Sequence, residues 1–284
     1  MTKIAFLGTG LLGGAFAEGA AKRGDQVSAW NRSPDKVKAL GAFGVRAAAT
    51  PADAVRGVAR VHLVLKDDAV VEEVLAAALP GMSAEAVVID HTTTLPKLTA
   101  ARLQRLNSRG VKYLHCPVFM GPPAARNAQG SMLVAGPKAL FEEVSAELAK
   151  MTGRIEYLGE RGDLAAANKL FGNAMIIGMA AVMADILTIA QASDVSGEDA
   201  IKLLGLLDMN AMAAVRGMNM AKGNFAPSFE LAMARKDVRL MLETVGDRPM
   251  AALPAVAARM DQLIAAGRGG EDCTIIAADA LSRP

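Results

Sequence analysis

The residues just inside the start of the chain constrain its fold more than any others. An apolar run, Ile4–Leu7, leads into Gly8-Thr9-Gly10-Leu11-Leu12-Gly13, and an alanine-rich stretch then continues to Arg23. Gln26–Trp30 has the composition of a second strand. This order of strand, glycine turn, helix and strand predicts a β-α-β unit, and the glycine spacing indicates that the turn receives a dinucleotide pyrophosphate.

Each glycine of the turn has its own expected role. Gly8 permits the tight turn, Gly10 lets the pyrophosphate approach the backbone, and Gly13 lets the helix pack against the strand. The free N–H groups and the positive dipole end of the helix favour an anion there. A plain tight turn in an α/β fold is the alternative. We expect the whole turn to bind the cofactor: Gly8, Thr9, Gly10, Leu11, Leu12 and Gly13.

The end of the second predicted strand indicates which dinucleotide is bound. NAD-binding sequences carry a carboxylate there for the ribose 2′-hydroxyl, and that carboxylate would repel a 2′-phosphate. This chain instead has Asn31-Arg32-Ser33, with Lys36 close behind, and Asp35 lies too far along to be the usual ribose partner. A solvated loop is the alternative interpretation. The pattern favours NADP(H), with Asn31, Arg32 and Ser33 as cofactor-binding residues.

Composition excludes several classes of protein. The 284 residues are 52% hydrophobic, which is enough for two domains with a large core. The 31 basic and 29 acidic residues nearly balance, which argues against a nucleic-acid partner. The two cysteines, Cys116 and Cys273, fit a reducing cytoplasm. His91, His115 and Cys116 lack the spacing of metal ligands, so no metal site is predicted.

The pattern along the chain changes near Gly162. Before it, strand-like runs alternate with helices, which is typical of a doubly wound, mostly parallel Rossmann-type sheet. After it, only helical spacing is seen. The predicted domains are therefore 1–162, which binds the dinucleotide, and 163–284, an all-α domain for substrate binding and dimerisation.

The same pattern predicts the individual elements. The further strands expected are Val61–Leu65, Ala86–Asp90, Val111–Cys116, Met132–Ala135 and Ile155–Leu158. Between them we expect helices Asp67–Ala78, Pro96–Ser108 and Pro137–Met151, followed by Asp163–Ala192, Ala211–Ala221, Phe229–Val245, Pro254–Ala266 and Cys273–Ser282.

Two features of the helical half carry predictions of their own. Ser196 and Asp199 have the spacing of a capping box, so a helix should begin there. Ala174–Ala190 is apolar enough to imitate a membrane span, but Asp185 interrupts it, and a buried helix is predicted instead. Several other apolar helix faces predict a homodimer or homotetramer formed through this domain.

Four motifs in order resemble one family. Val27-Ser28-Ala29-Trp30-Asn31-Arg32-Ser33 continues the glycine fingerprint, and Asp90-His91-Thr92-Thr93-Thr94-Leu95-Pro96 is similar to an Asp-x-Ser-Thr-x-x-Pro loop. Lys169-Leu170-Phe171-Gly172-Asn173 matches a Lys-x-x-x-Asn motif, and Asn224 to Asp237 resembles the closing motif. Over nearly its whole length the chain resembles the β-hydroxyacid dehydrogenases, which include 3-hydroxyisobutyrate dehydrogenases and glyoxylate/succinic semialdehyde reductases. Its second half is similar to the helical domain of 6-phosphogluconate dehydrogenase.

The resemblance implies a role for Lys169 as general acid in reduction and general base in oxidation, with Asn173 orienting the lysine and the substrate. Residues four apart share one helix face, so the two side chains should be neighbours. A free lysine, with a pKa of about 10.4, is a poor base at neutral pH, so the site is expected to lower its pKa by desolvation. Leu170, Phe171 and Met175 are the apolar neighbours in sequence.

Other residues carry over from the family to the cofactor and substrate sites. Leu65, Lys66 and Asp67 follow a strand whose loop borders the nicotinamide ribose. Thr92 and Thr93 match a loop that contacts both ligands, with Thr93 the better match. Lys236, whose alternative is a solvated helix lysine, matches a lysine that closes the site from the helical domain, and Phe229 belongs to the same closing motif as a substrate residue.

One loop departs from the family. Where the family has a Ser-Gly-Gly segment that holds the substrate carboxylate, this chain has Phe119-Met120-Gly121. Either other donors hold the carboxylate, or the substrate is not a standard short hydroxyacid. The leading hypothesis is an NADP(H)-dependent dehydrogenase or reductase of a small β-hydroxyacid or semialdehyde. The alternatives are an imine reductase-like NADPH enzyme, and an NADPH-binding protein without catalysis.

Overall fold

The computed structural model describes residues 1–281, which form nine strands and twelve α-helices. The strands are β1 Lys3–Leu7, β2 Gln26–Trp30, β3 Arg46–Ala47, β4 Arg60–Leu63, β5 Val87–Asp90, β6 Tyr113–His115, β7 Val118–Phe119, β8 Ser131–Ala135 and β9 Arg154–Gly159. The helices are α1 Leu11–Lys22, α2 Asp35–Lys38, α3 Pro51–Ala54, α4 Asp68–Ala78, α5 Pro96–Asn107, α6 Pro122–Arg126, α7 Lys138–Leu148, α8 Leu164–Ala192, α9 Gly197–Lys202, α10 Met209–Ala221, α11 Leu231–Val245 and α12 Leu253–Ala265. Short 3₁₀ helices cover Ala39–Phe43, Leu79–Gly81, Ala149–Met151, Leu203–Leu206 and Cys273–Leu281.

The strands form one sheet in the order β3-β2-β1-β4-β5-β6-β8-β7, with β9 paired to β8. The first six strands of this order are parallel, and β8 runs antiparallel to β6 and β7. The order 3-2-1-4-5-6 is that of a doubly wound dinucleotide-binding sheet, with ligands at the carboxyl ends of its strands. The predicted fold class is confirmed.

Helices cover both faces of the sheet because its strands are apolar on both sides. On one face, Phe16 and Ala20 of α1 pack against Ile4 and Phe6 of β1 in a single buried cluster. On the other face, Val71, Val74 and Leu75 of α4 pack with Leu7 and Leu63. Strand β1 is therefore buried from both sides, which holds the glycine turn at its end in place.

Several predicted boundaries differ from the observed ones. The strand expected at Val111–Cys116 is shorter, because only Tyr113–His115 pairs in the sheet. The helix expected from Phe229 begins at Leu231, and the last predicted helix is the 3₁₀ segment Cys273–Leu281, with Ser282 outside the described residues. Strands β3 and β7 and helices α2, α3 and α6 were not predicted, because two to five residues are too few to show a hydrophobic period.

The chain divides into two compact units, Met1–Asn173 and Ala174–Pro284, of which residues up to 281 are described. Helix α8 begins in the first and ends in the second. The core of the second unit joins α11, α12 and the Cys273–Leu281 segment through buried Leu231, Val238, Met260 and Ile275. The predicted capping box is confirmed, because the Ser196 hydroxyl accepts a hydrogen bond from the Asp199 N–H at the start of α9.

The prediction of a buried helix at Ala174–Ala190 is wrong for the single chain. Only Asp185 and Ala190 are buried there, and Ile176, Ile177 and Met179 are all more than half exposed. The polar residue is buried because Asp185 accepts hydrogen bonds from the backbone N–H groups of residues 251–253, which precede and begin α12. These bonds stabilise its charged form, and the pKa of Asp185 is lowered although burial opposes the shift. On length and composition alone, α8 also qualifies as a membrane span, a test that core helices of soluble proteins pass as well.

Candidate active site

The three glycines of the turn between β1 and α1 meet different surroundings. Gly8 has a φ of +97°, and a Cβ there would overlap the Val64 carbonyl oxygen. A Cβ at Gly13 would overlap the Gly8 carbonyl oxygen. At Gly10, by contrast, a Cβ would have no protein atom within 4 Å. The protein itself therefore requires glycine at positions 8 and 13, while the space above Gly10 is open to a ligand.

The turn offers hydrogen-bond donors to an anion. Gly10 is the N-cap of α1 and forms no side-chain cap, so the first N–H groups of the helix have no capping side chain. The Thr9 hydroxyl is buried and has no hydrogen-bond partner among the described residues. Such a group costs free energy unless a ligand or water bonds to it. Both observations fit the pyrophosphate of a dinucleotide.

Asn31 ties the end of β2 to the turn. Its side-chain oxygen accepts a hydrogen bond from the Thr9 N–H at 3.0 Å, and its amide donates to the Ser33 carbonyl at 3.1 Å. The Trp30 carbonyl accepts from the Gly8 N–H at 2.9 Å. These contacts bring Arg32 and Ser33 beside the glycine turn.

A cleft of about 380 Å³ lies at this edge of the sheet. It is lined by Gly8, Gly10, Trp30, Asn31, Arg32, Ser33, Lys36, Val64, Leu65, Lys66, Val70, Glu73 and Val74. Arg32 and Lys36 are exposed and form no ion pair with the described residues, whereas Asp35 pairs with Lys38 at 3.1 Å. Two cations of the cleft are thus available to an anion such as a phosphate.

Sequence reasoning missed part of this lining. Val70, Glu73 and Val74 lie on the first turns of α4 and share a helix face by their spacing. That spacing was the available signal, but an apolar face of a helix is ordinarily assigned to the core. The other predicted turn residues lie differently: Leu11 is 86% exposed, and Leu12 packs against the core.

The loops after β4 and β5 are joined by a hydrogen bond. The Thr92 hydroxyl accepts from the Leu65 N–H at 3.1 Å, and Thr92 is buried. Asp67 caps α4 by accepting from the Val70 N–H, and Lys66 lies 3.7 Å from the Asp67 carboxylate. Thr93, next in the chain, is exposed. Of the two threonines, Thr93 has the side chain available to a ligand, and Thr92 positions the loop.

A buried polar network supports the Thr92 loop. Asp90 is fully buried and accepts hydrogen bonds from the Tyr113 hydroxyl at 2.8 Å and the Thr92 N–H at 2.9 Å. Arg102 lies 3.7 Å from Asp90 and donates to Asp68 at 2.7 Å. His115 contacts the Thr92 carbonyl at 2.9 Å through Nε2. The backbone of the predicted ligand loop is therefore held from within the core.

Two further histidines form a chain of hydrogen bonds near the turn. The His91 Nδ1 lies 2.7 Å from the Cys116 carbonyl, which can only accept, so Nδ1 carries the proton. Neutral His91 then accepts at Nε2 from the His62 Nδ1 at 3.0 Å. Burial lowers the pKa of His91 to about 4 and that of His62 well below its usual value. Residues 1–281 contain no His, Cys, Asp and Glu group arranged for a metal ion.

Lys169 lies in the second turn of α8, with Asn173 one turn later. The Lys169 ammonium lies 4.2 Å from the centre of the Phe119 ring, and its half-buried position lowers the pKa of Lys169. This direction is the one expected. The apolar neighbours of Lys169 in sequence, Leu170, Phe171 and Met175, are themselves 38%, 65% and 66% exposed. Phe119, brought in by β7, covers one side of the amine instead.

The loop that departs from the family contributes apolar groups. Phe119 packs against Leu133, Ala135 and Ala165, and Met120 packs against the main core cluster. Gly121 is exposed and precedes α6. No residue of 117–121 carries a charge, so this segment has no cationic side chain that could pair with a carboxylate.

Two predicted site residues belong to the second unit. Lys236, on α11, pairs with Asp237 at 2.8 Å and is partly exposed. The Phe229 N–H donates to the Asp272 carboxylate at 3.1 Å, and its side chain is 37% exposed. Asp272 accepts from the Ser228 and Thr274 N–H groups as well. Phe229 is therefore held by its backbone, and its side chain is partly exposed.

The fold and the cleft define a dinucleotide-binding protein of the Rossmann class, and comparison with known proteins agrees. The sequence model of the NAD binding domain of 6-phosphogluconate dehydrogenase matches residues 3–159, more than half of the chain. The chain belongs to the β-hydroxyacid dehydrogenase family of NAD(P)-dependent oxidoreductases, which shares this NAD-binding domain.

Individual relatives are similar at lower identity. Glyoxylate/succinic semialdehyde reductase 1 of Arabidopsis thaliana is 28% identical over 90% of this chain and 89% of its own length. The cytokine-like nuclear factor N-PAC of Homo sapiens is 29% identical over 88% of this chain, which spans only 46% of that relative, about half its length. A reductive aminase from Aspergillus terreus, solved with NADPH and ethyl levulinate, superposes with a TM-score of 0.87 at 21% identity, covering 99% of this chain and 100% of that one. The last similarity shows the fold alone.

Proposed function

We propose that this protein is an NADP(H)-dependent oxidoreductase that transfers a hydride between nicotinamide and a small β-hydroxyacid or semialdehyde. Lys169 is the general acid and base. The observation that carries the proposal is the desolvated Lys169 ammonium on the Phe119 ring, with Asn173 one turn further along α8. Lys169 belongs to the same unit as the dinucleotide turn. A proton donor and a hydride-carrier site are the two parts that carbonyl reduction needs.

The chain's own residues account for the proton in this reaction. When bound, NADPH supplies a hydride for the carbonyl carbon of the substrate. The carbonyl oxygen gains the electron pair of the broken π bond, and the Lys169 ammonium donates a proton to it. Oxidation reverses these steps, with the neutral amine accepting the hydroxyl proton. A lowered pKa suits both directions of the reaction, because a group exchanges protons most effectively when its pKa lies near the working pH.

The cofactor preference for NADP(H) rests on the cleft. Arg32, Ser33 and Lys36 would hold the 2′-phosphate, and Arg32 can stack on the adenine. The only acidic side chain in the lining is Glu73, which belongs to α4 rather than to the strand end where NAD-binding proteins place their carboxylate.

A second candidate function, the reduction of imines, is favoured by the Phe119-Met120 segment. Relative to the family's serine and first glycine, Phe119 and Met120 lack a hydroxyl donor and place two apolar side chains where a carboxylate would be held. An aromatic face beside the proton donor also stabilises a cation, and an iminium carbon is a cationic hydride acceptor.

A substrate panel separates these functions. Oxidation of NADPH and NADH would be followed with glyoxylate, succinic semialdehyde, methylmalonate semialdehyde and a cyclic imine. Turnover of a semialdehyde supports the first proposal, and turnover of the imine alone supports the second. If NADPH binds but no compound is reduced, the protein is a cofactor-binding protein without this catalysis, and both proposals fail.

We further propose a cytoplasmic homodimer or homotetramer, with no nucleic-acid or membrane partner. The exposed Ile176, Ile177 and Val182 of α8, with Val215 and Met218 of α10, are too apolar to remain in water. A second copy would cover them, as in a symmetric interface. Sedimentation analysis tests this proposal, and a monomer at micromolar concentration would contradict it.

A further inference from the structure

Phe119 and Gly172 fit each other across β7 and α8. A Cβ at Gly172 would overlap the Phe119 Cζ and lie 2.5 Å from its Cε1, so the ring fills the space that a side chain at position 172 would occupy. The Phe119 backbone pairs with Ser131 of β8, which fixes the base of the side chain. The ring therefore lies between a fixed strand and a helix surface that has no side chain at the contact.

The same ring contacts the amine of Lys169. The ammonium lies 4.2 Å from the ring centre, within the range of a cation–π interaction. Among residues 1–173, Lys169 forms no ion pair. The charged groups on the neighbouring elements bond to one another instead: Arg161 to Asp163, ahead of α8, and Arg154 to Glu156 on β9. Within this unit, the aromatic face of Phe119 is thus the group that contacts the ammonium.

We propose that Phe119 is a positioning residue that holds the Lys169 ammonium through its ring face, and that Gly172 keeps the ring in that place. The catalytic consequence rests on the proposed function of Lys169, but the placement of the amine does not. The proposal gives Gly172, the third residue after the lysine in the Lys-x-x-x-Asn segment, a function of its own.

The ring has a predictable effect on protonation. The negative face of an aromatic ring favours the charged amine, whereas desolvation favours the neutral one. The two effects oppose each other at Lys169, where burial lowers the pKa of the amine. Removing the ring but keeping an apolar group of similar size would leave desolvation alone, so the amine should lose its proton at lower pH.

The titration of Lys169 can be followed without any activity. The lysines are reductively methylated with ¹³C-formaldehyde, the Lys169 signal is assigned with Lys169→Arg, and its ¹³C shift is recorded against pH in the full chain. Phe119→Leu should lower the pKa of Lys169 by roughly half a unit to one unit. Phe119→Tyr, which keeps the ring, should restore the wild-type titration.

A matched control is available within the same unit. The Lys22 ammonium lies 4.8 Å from the Phe43 ring centre, so Phe43→Leu removes a second cation–π pair. It should leave the Lys169 titration unchanged. An identical shift of Lys169 in Phe43→Leu would show that the readout is not local and would overturn the assignment to Phe119.

Gly172→Ala tests the pairing most sharply, because it removes no functional group. Its Cβ would displace the Phe119 ring, and we expect the Lys169 pKa to fall as in Phe119→Leu, while alanine itself favours the helix. An unchanged Lys169 titration in both Phe119→Leu and Gly172→Ala would overturn the proposal. A shift in Phe119→Leu alone would overturn the role of Gly172.

Kinetics separate this proposal from the proposed function. In reduction, kcat/KM should decline as Lys169 loses its proton, and in Phe119→Leu that decline should begin at lower pH. If the NMR titration moves but no substrate is reduced, the proposed function fails and the positioning role stands. If reduction depends on Lys169 but neither the titration nor the pH profile responds to Phe119, the positioning role fails alone.

Discussion

The dinucleotide turn and the first turns of α8 belong to the same unit but are held in place by different means. At the turn, backbone meets backbone: Gly8 approaches the Val64 carbonyl, and Gly13 approaches the carbonyl of Gly8. At α8, one side chain meets another, because the Lys169 amine rests on the Phe119 ring. A backbone contact tolerates few residue types, whereas a contact between side chains changes with either partner.

This difference bears on how the two regions diverge. The cofactor end keeps its glycines because the protein itself has no room for a Cβ at positions 8 and 13. The segment that we propose to face the substrate carries Phe119 and Met120, and both side chains join apolar clusters of the fold. We propose that substrate specificity depends on the second region, while the first region binds the dinucleotide.

The largest effect should follow loss of the amine. Lys169→Ala should lower kcat for the best substrate by roughly 10²–10⁴-fold, the usual contribution of general acid–base catalysis, and leave NADPH binding unchanged. Stopped-flow reduction and a fluorescence titration measure the two. Lys150→Ala, which removes an exposed lysine paired with Glu147, is the matched control. Equal kcat in Lys169→Ala and wild type would refute the assigned role.

Acid should lower the free energy of unfolding through His91, which is buried beside the elements that flank the dinucleotide turn. Unfolded His91 takes up a proton below a pH of about 6.5, whereas the folded residue stays neutral to about 4, so the unfolded chain binds more protons in between. The free energy of unfolding should therefore fall as pH drops from 6.5 towards 4, by up to about 3 kcal/mol from this residue.

Urea denaturation across this pH range measures the effect. The rings of His62 and His91 stack near Phe6 and Phe16, on the strand and helix that flank the turn. His91→Asn should flatten the pH dependence, although its stability at neutral pH is lower. A free energy of unfolding that does not change between pH 6.5 and 4 would contradict a buried neutral pair.

Two glycines of the turn should respond differently to the same substitution. Gly13→Ala should destabilise the fold by about 1–3 kcal/mol, as overpacking does, and should abolish NADPH binding. Gly10→Ala should leave the fold intact and weaken only NADPH binding, because its Cβ projects into open space. Thermal denaturation with and without NADPH distinguishes them. Equal stability of the two variants would contradict the assignment of Gly13 to a contact within the protein and of Gly10 to a contact with the ligand.

The smallest effect concerns the choice of cofactor. Arg32→Ala should raise the Kd for NADPH by roughly 10–100-fold, the contribution of a charge-assisted hydrogen bond, and change the Kd for NADH little. Lys38→Ala is the control, because Lys38 already pairs with Asp35. Similar losses of NADPH and NADH affinity would argue against Arg32 as the phosphate ligand.

Sequence patterns predicted those features that depend on local spacing. The glycine turn, the alternating strands and helices and the Ser196 cap all followed from residues close together in the chain, and the family followed from four short motifs. The contact between the Phe119 ring and the Lys169 amine could not be predicted in this way. Phe119 lies fifty residues before Lys169 and belongs to a two-residue strand. The hydrogen bond between His62 and His91 could not be predicted either, since a single histidine in an apolar strand does not indicate its partner.

Glycine spacing and hydrophobic period are local properties, so they were enough to predict the β-α-β opening, the Rossmann-type first half and the helical second half. The family was predicted from the resemblance of four short motifs. The tertiary structure brought together groups that are far apart in the chain: Phe119 with Lys169, His62 with His91, and the Asp185 carboxylate with the backbone at the start of α12. It also showed that apolarity does not determine burial within one chain, because the apolar α8 is largely exposed whereas its carboxylate is buried. Long-range packing and backbone hydrogen bonding set these pairings, and neither leaves a pattern within a short window of residues.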